Sequence, residues 1–280
     1  MLVFTTIHHL TSFLAQQTSK TVALVPTMGS LHLGHLSLVQ KAKEVAEIVV
    51  VSIFVNKKQF NNLTDYQSYP KNLSADLNLL QQQKVDAVFA PDETEMFAYG
   101  NENNFTISPH NDLENCLCGK FRLGHFAGVC LIVTKLFNIV KPNFAIFGEK
   151  DFQQLTIIKK MVDYFNFNLK IISAPTIRNE NGLALSSRNT LLSQNGLLLA
   201  SKIYQALSEV AKNPTEIENI KNQLLMQGFS LVEYLEIRNS CNLSLIDPAT
   251  IHLQKQPTRV FIAVVLEGVR LIDNFQHQLS

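Results

Sequence analysis

Short, nearly unbroken apolar runs recur along the chain with amphipathic stretches between them, and this alternation constrains the fold more than any other feature. "TVALVP" (Thr21–Pro26), "IVVVSIFVN" (Ile48–Asn56), "VDAVFAP" (Val85–Pro91), "NFAIFGEKD" (Asn143–Asp151) and "LKIISAPTI" (Leu169–Ile177) read as strands. Between them, "GHLSLVQKAKEVA" (Gly34–Ala46), "GVCLIVTKLFNIV" (Gly128–Val140, ended by Pro142) and "FQQLTIIKKMVDYF" (Phe152–Phe165) carry helical spacing. A strand that is apolar throughout needs cover on both faces, which a parallel sheet flanked by helices supplies. Strand–helix–strand order makes right-handed crossovers the expected connection. The expected fold class is α/β: a Rossmann-like doubly wound parallel sheet with a second, smaller α+β domain. After Pro175 the texture changes to helical segments and a late pair of strands, "LVEYLEIRN" and "RVFIAVVLEGVRLID". A boundary is therefore expected near Ala174, with a first domain over 1–174 and a C-terminal domain over 175–280.

With 280 residues and a formal net charge of +1, the chain carries no electrostatic footprint for nucleic acid or an anionic membrane, and neither is expected as a partner. The C-x-C of Cys116 and Cys118 lacks zinc or thioredoxin-like spacing, and Cys130 and Cys241 make no second pair. Reduced thiols in a cytoplasmic protein are the expectation. The opening "MLVFTTIHHLTSFLAQQ" lacks the basic region and cleavage site of a signal peptide, and no apolar run approaches the roughly 20 residues of a membrane span. The sequons at Asn62, Asn72 and Asn242 are accordingly expected to be idle.

In open α/β sheets, ligands bind beyond the carboxyl ends of the strands. Three loops there are unusual: "PTMGSLHLGH", "VNKKQF" and "FGEKDFQQ". His32 precedes a predicted helix and His35 lies in its first turn, at the positive end of the macrodipole, which attracts phosphate and favours a neutral imidazole. A neutral ring can donate a hydrogen bond to a phosphoryl oxygen as charge builds in a transition state. Two surface histidines are the plainer alternative, and no third ligand at suitable spacing supports zinc. Neither G-x-G-x-x-G nor a P-loop occurs, so a nucleotide site would need another device. Lys150, after a strand end, could neutralise a phosphate, with Asp151 holding the lysine or a ribose hydroxyl; a surface Glu-Lys-Asp turn is the alternative. "LALSSRN" (Leu183–Asn189) joins two hydroxyls to an arginine that can bind two oxygens at once, or it is a helix cap followed by a solvated arginine.

Together, "VPTMGSLHLGH", "VSIFVNKKQF", "YPKNLSADL", "RLGHFAGV", "TKLFNIVKPNFAIFGEKDFQQL", "NGLALSSRN" and "RLIDN" (Arg270–Asn274) resemble the pantothenate synthetase family of H-x-G-H nucleotidyltransferases over nearly the whole chain. The resemblance implies an AMP-forming ligase. Pantoate carboxylate attacks the α-phosphate of ATP to give pantoyl adenylate, and the β-alanine amine then expels AMP. It makes residues 1–174 the nucleotide-binding catalytic domain and 175–280 a domain covering the active site. It implies ATP as substrate, Mg²⁺ as cofactor and a homodimer. His32 and His35 would face the phosphates, with His35 the catalytic donor, and Lys150 would stabilise the α-phosphoryl charge. Ser186, Ser187 and Arg188 would hold the β,γ-phosphates, and Met28, Gly29, Gly148, Glu149, Asp151, Ile177 and Leu185 would complete the ATP site. Gln59 and Gln154 would bind pantoate, and Asp76 would bind Mg²⁺.

The chain departs from the family pattern at Lys57, which replaces a proline in V-N-P-x-Q-F, at Lys71, which replaces an arginine, and at Leu123, which replaces the proline of R-P-G-H-F. None of these carries an assigned chemical role; loop rigidity is what they touch. A related nucleotidyltransferase would share H-x-G-H without needing Gln59 and Gln154. A tRNA synthetase-like fragment would need a basic RNA-binding face. A non-catalytic nucleotide-binding module would have no use for His35, Lys150 and Arg188 together.

Overall fold

The computed structural model describes residues 1–97 and 105–277. They form two compact units: one of Met1–Pro109, Arg122–Glu149 and Ile157–Pro175, the other of His110–Phe121, Lys150–Thr156 and Thr176–Ser280. The sequence-based boundary puts segments 110–121 and 150–156 in the first domain, whereas here they group with the second unit.

In the first unit six parallel strands, β1 (Leu2–Phe4), β2 (Val22–Thr27), β3 (Ile48–Ile53), β4 (Ala87–Phe89), β5 (Phe144–Gly148) and β6 (Lys170–Ala174), lie in the order β1-β4-β3-β2-β5-β6. All of β3 is buried, as a continuous apolar run on a doubly covered sheet requires. Strand β1 is an addition to the sequence reading: the opening apolar run pairs Leu2 with Ala87 at the sheet edge. The strand order reverses between β2 and β5, the topological switch point at which such sheets open a crevice. The helix Leu33–Val45 buries Leu36, Leu38, Val39 and Ala42. Each of the larger three contributes about 1.5–3 kcal/mol, so the loop at its N-terminus is anchored at its far end. The helix His125–Val140 stops where Lys141 turns left-handed (φ 48°), one residue before Pro142.

In the second unit β7 (Leu231–Asn239), β8 (Thr258–Leu266) and β9 (Val269–His277) form an antiparallel sheet. The stretch "RVFIAVVLEGVRLID", expected as one strand, is instead a hairpin that turns at Glu267 and Gly268, with φ of 51° and 76°. That pair of left-handed residues matches the twist of two-residue hairpins. A glutamate at positive φ is uncommon, which hides the turn in the sequence. One core joins Ile203, Leu207 and Val210 of the helix Lys202–Lys212, and Ile220 and Leu224 of the helix Ile217–Met226, to Leu235, Ile262, Val264 and Leu271 of the sheet. Cys116, Cys118, Cys130 and Cys241 are free thiols, and no helix among the described residues is long and apolar enough to cross a membrane.

Candidate functional site

Strand β2 ends in a loop that main-chain geometry holds tightly. Gly29 (φ 76°) and Ser30 (φ 51°) are both left-handed, which turns successive N–H groups towards one carboxylate. Asp76 accepts Ser30 N–H at 2.9 Å on Oδ2 and Leu31 N–H at 2.7 Å on Oδ1. A Cβ on Gly29 would lie 2.8 Å from Asp76 Oδ2, so the close approach as well as φ requires glycine. Asp76 is 2% exposed; burial raises its pKa above the ordinary carboxylate value, and the two N–H bonds oppose that rise. Each Asp76 oxygen accepts one loop N–H, so the residue expected to bind Mg²⁺ also holds the loop ahead of the histidines. Among the described residues no three His, Cys, Asp or Glu side chains gather as a metal site.

The two histidines then cap the helix reciprocally. His32, in extended backbone, accepts Gly34 N–H on Nδ1 at 3.1 Å, and His35 Nδ1 accepts His32 N–H at 3.3 Å. This is a capping box with imidazoles in place of the usual hydroxyl and carboxylate. The ring centroids are 4.1 Å apart. Because each Nδ1 accepts, each neutral ring carries its proton on Nε2, the tautomer that makes Nε2 a donor.

The "VNKKQF" loop is seated by the "RLGHFAGV" segment. Gln59, 7% exposed, donates through Nε2 to Met28 Sδ (2.9 Å), and Asn56 Nδ2 donates to its Oε1 (3.3 Å). The Gln59 carbonyl accepts His125 Nδ1–H at 2.7 Å and Arg122 at 3.3 Å, while Arg122 donates to His125 Nε2 at 2.9 Å. Asn56 Nδ2 also donates to the Gly128 carbonyl at 3.0 Å. A Cβ on Gly128 would sit 2.4 Å from the Lys58 carbonyl, so the loop rests directly on the helix backbone. Leu123, where the family has proline, is 76% exposed and takes no part in this seat.

Strand β5 runs through Gly148 into the turn Glu149–Asp151. The half-buried Lys150 ammonium lies 3.9 Å from Asp151 Oδ2, a separation at which a partly exposed pair contributes little. Gln154 is half-buried, and its side chain makes no hydrogen bond among the described residues. Its neighbour Gln153, to which the sequence reading gives no role, is 5% exposed. Its Nε2 donates to the Leu113 and Cys116 carbonyls, and its Oε1 accepts Cys118 N–H.

Ile177 and Leu185 come together in a small hairpin: Leu185 N–H donates to the Ile177 carbonyl at 2.9 Å, and Asn179 N–H to that of Leu183 at 2.9 Å. Ser186 then caps the short turn Ser187–Leu191, accepting Arg188 N–H at 3.3 Å, with Ser187 buried and Arg188 half-buried. Thus Met28, Gly29, His32, His35, Gln59, Gly148 and Glu149 belong to the first unit. Lys150, Asp151, Gln154, Ile177, Leu185 and Ser186–Arg188 belong to the second.

The family described as pantoate-beta-alanine ligase matches residues 2–276. A pantothenate synthetase of Carboxydothermus hydrogenoformans is 42% identical over 285 aligned residues, covering 98% of each chain. One of Acinetobacter baylyi is 43% identical, covering 99% of this chain and 98% of its own. Among solved structures, the pantoate-beta-alanine ligase of Francisella tularensis, complexed with beta-gamma ATP and beta-alanine, superposes with a TM-score of 0.87 at 38% identity, covering 99% of this chain and 98% of its own. The pantothenate synthetase of Thermus thermophilus gives 0.88 at 36% identity and covers 99% of both chains.

Proposed function

The chain belongs to the pantoate-beta-alanine ligase family, and from that premise we propose how its residues carry out the ATP-dependent condensation of pantoate with β-alanine. The observation that carries the assignment is the pair of imidazoles capping one helix start with both Nδ1 atoms accepting, which makes each Nε2–H a donor of fixed orientation. His35 and His32 donate to the phosphates of ATP, and Lys150 follows the charge of the α-phosphoryl group. Ser186, Ser187 and Arg188 hold the β- and γ-phosphates, Arg188 by its two-pronged guanidinium. Met28, Gly29, Gly148, Glu149, Asp151, Ile177 and Leu185 are the further residues assigned to the nucleotide, and Gln154 is assigned to pantoate together with Gln59, which would give up its contact to Met28 Sδ to reach it.

A pantoate carboxylate oxygen attacks the α-phosphorus in line, and the bond to the β,γ-bridge breaks with release of pyrophosphate. The neutral amine of β-alanine then adds to the acyl carbon, loses a proton and expels AMP. Adenylation exchanges a poor leaving group for a good one, and holding the reactants in line removes several kcal/mol of entropic barrier, up to about 7–11 in favourable cases. Mg²⁺ enters this reading as the counter-ion of the ATP phosphates, and Asp76, the residue assigned to it, also holds the loop. A homodimer in the cytoplasm completes the reading, and sedimentation of the purified chain tests the dimer.

The experiment is to follow AMP and pyrophosphate from ATP, Mg²⁺ and pantoate, with and without β-alanine. Continuous release of both that depends on β-alanine, with pantothenate formed, is the expected result. ATP binding without turnover on pantoate would keep the nucleotide site and reopen the identity of the acid.

A further inference from the structure

Two of the segments assigned to ATP, the Lys150 turn and the hairpin leading into Ser186–Arg188, are gripped by adjacent residues of one strand. Successive side chains on β9 point to opposite faces of the sheet. Val269 and Leu271 are buried in the core that contains the helix Lys202–Lys212, and Asp273 continues that face. Arg270 and Asn274 share the other face, where Arg270 approaches Cys118 Sγ at 3.4 Å and bonds Glu233 at 2.8 Å.

On the first face, Asp273, 4% exposed, receives both arms of Arg178, the one from NH2 to Oδ1 measuring 2.9 Å. Arg178 stacks over Tyr204 (4.4 Å to the ring centroid) and donates to the Gly182 carbonyl at 3.0 Å, closing the tip of the Ile177–Leu185 hairpin. On the second face, Asn274, 2% exposed, donates through Nδ2 to the Lys150 carbonyl at 2.9 Å. Its Oδ1 accepts Arg259, whose guanidinium lies 3.9 Å over the Phe152 ring, two residues beyond Lys150. The node closes on itself: Asn274 N–H donates to Asp273 Oδ1 at 2.8 Å, and Arg178 NH2 reaches the Asn274 carbonyl at 3.2 Å.

We propose that Asp273 and Asn274 are positioning residues of the reaction: Asn274 sets the backbone of Lys150, and Asp273, through Arg178, sets the loop carrying Ser186–Arg188. The proposal rests on the reading of Lys150 and Ser186–Arg188 given above. A lysine backbone free to drift by an ångström moves its ammonium off the reacting phosphate, and a displacement of that size costs about 10²-fold in rate.

The test is Asn274→Asp, which keeps an acceptor facing Arg259 but replaces the donor to the Lys150 carbonyl by an oxygen and adds a carboxylate beside Asp273, with Asn274→Ala as the uncharged control, alongside Asp273→Asn. Pantoate-dependent exchange of pyrophosphate into ATP is measured for these variants, for Lys150→Ala, and for Lys150→Ala combined with each Asn274 substitution. Asn274→Asp should lower kcat by about 10–100-fold with the KM for ATP nearly unchanged, and should add almost nothing in the Lys150→Ala background. Asp273→Asn should raise the KM for ATP, because its loop grips the distal phosphates, and should lower kcat as well, because Asp273 also accepts Asn274 N–H and its charge acts on the Lys150 ammonium. The readout does not depend on either variant being as stable as the parent, since it is the kcat-against-KM split and the loss of additivity that are compared. A full extra loss from Asn274→Asp on top of a weak Lys150→Ala parent would overturn the proposal while leaving Lys150 in its role. A fully active Lys150→Ala parent would overturn the reading of Lys150 itself, and the proposal with it.

Discussion

The loop after β2 and the turn after β5 each carry groups assigned to phosphate, and they are restrained at different levels. In the first, the side chains themselves are fixed: both imidazoles are tied to main-chain N–H groups, and Asp76 clamps the backbone before them. In the second, the backbone is fixed through the Lys150 carbonyl while the ammonium meets Asp151 only at 3.9 Å. Histidines held in one orientation serve a charge that builds at one place. The Lys150 ammonium is instead held by charge alone, from Asp151 at 3.9 Å and from the buried Asp273, without a close hydrogen bond to either.

The sharpest break in this comparison comes from Lys150→Ala and His35→Ala. Each should lower kcat by about 10²–10³-fold, the range for loss of one transition-state donor. They should differ in stability. His35→Ala also removes half of the capping box and should cost about 1 kcal/mol, whereas Lys150→Ala should leave the thermal midpoint near its original value. Denaturant unfolding beside steady-state kinetics checks both.

The next effect is on the rigid loop. Gly29→Ala forces a side chain into left-handed backbone and against Asp76 Oδ2, and should destabilise by about 1–3 kcal/mol with a parallel loss of activity. Asp76→Asn keeps one acceptor and turns an NH₂ towards the other loop N–H, leaving a buried donor without a partner at a cost of about 1–3 kcal/mol. Its pH dependence carries a definite sign. The folded pKa of Asp76 is raised, so the native state binds the proton more tightly than the unfolded chain. The contribution of Asp76 to stability is thus fullest below the unfolded value and declines as pH rises through the folded one. Asp76→Asn should flatten that decline in a stability–pH profile.

The smallest effect is expected at Asp151→Asn. Losing a 3.9 Å, partly exposed pair should change kcat by no more than about fivefold, equivalent to roughly 1 kcal/mol. A larger loss would mean that the lysine head is held as firmly as the imidazoles.

The parallel sheet was legible because β2 and β3 are apolar on both faces, and a parallel sheet covered on both sides uses just such strands. The β8–β9 turn was not, because Glu267 adopts a conformation that its side chain disfavours. Likewise, H-x-G-H displays its chemistry locally, since a helix start needs only its own next three residues to be capped. Gln153, Arg178, Asp273 and Asn274 act on segments tens to more than a hundred residues away, and spacing along the chain does not register such bonds. The only sign of the last two was the family match of "RLIDN". Asp76 illustrates the converse: a lone aspartate in a helix looks solvated until the loop that closes over it is seen.

The most direct test of adenylation as the first step is exchange of labelled pyrophosphate into ATP by the wild-type chain with pantoate and Mg²⁺ and no β-alanine. Pantoate-dependent exchange, reduced at least about 10²-fold in both His35→Ala and Lys150→Ala, is the expected result. Exchange that ignores pantoate, or that survives in both variants, would contradict it.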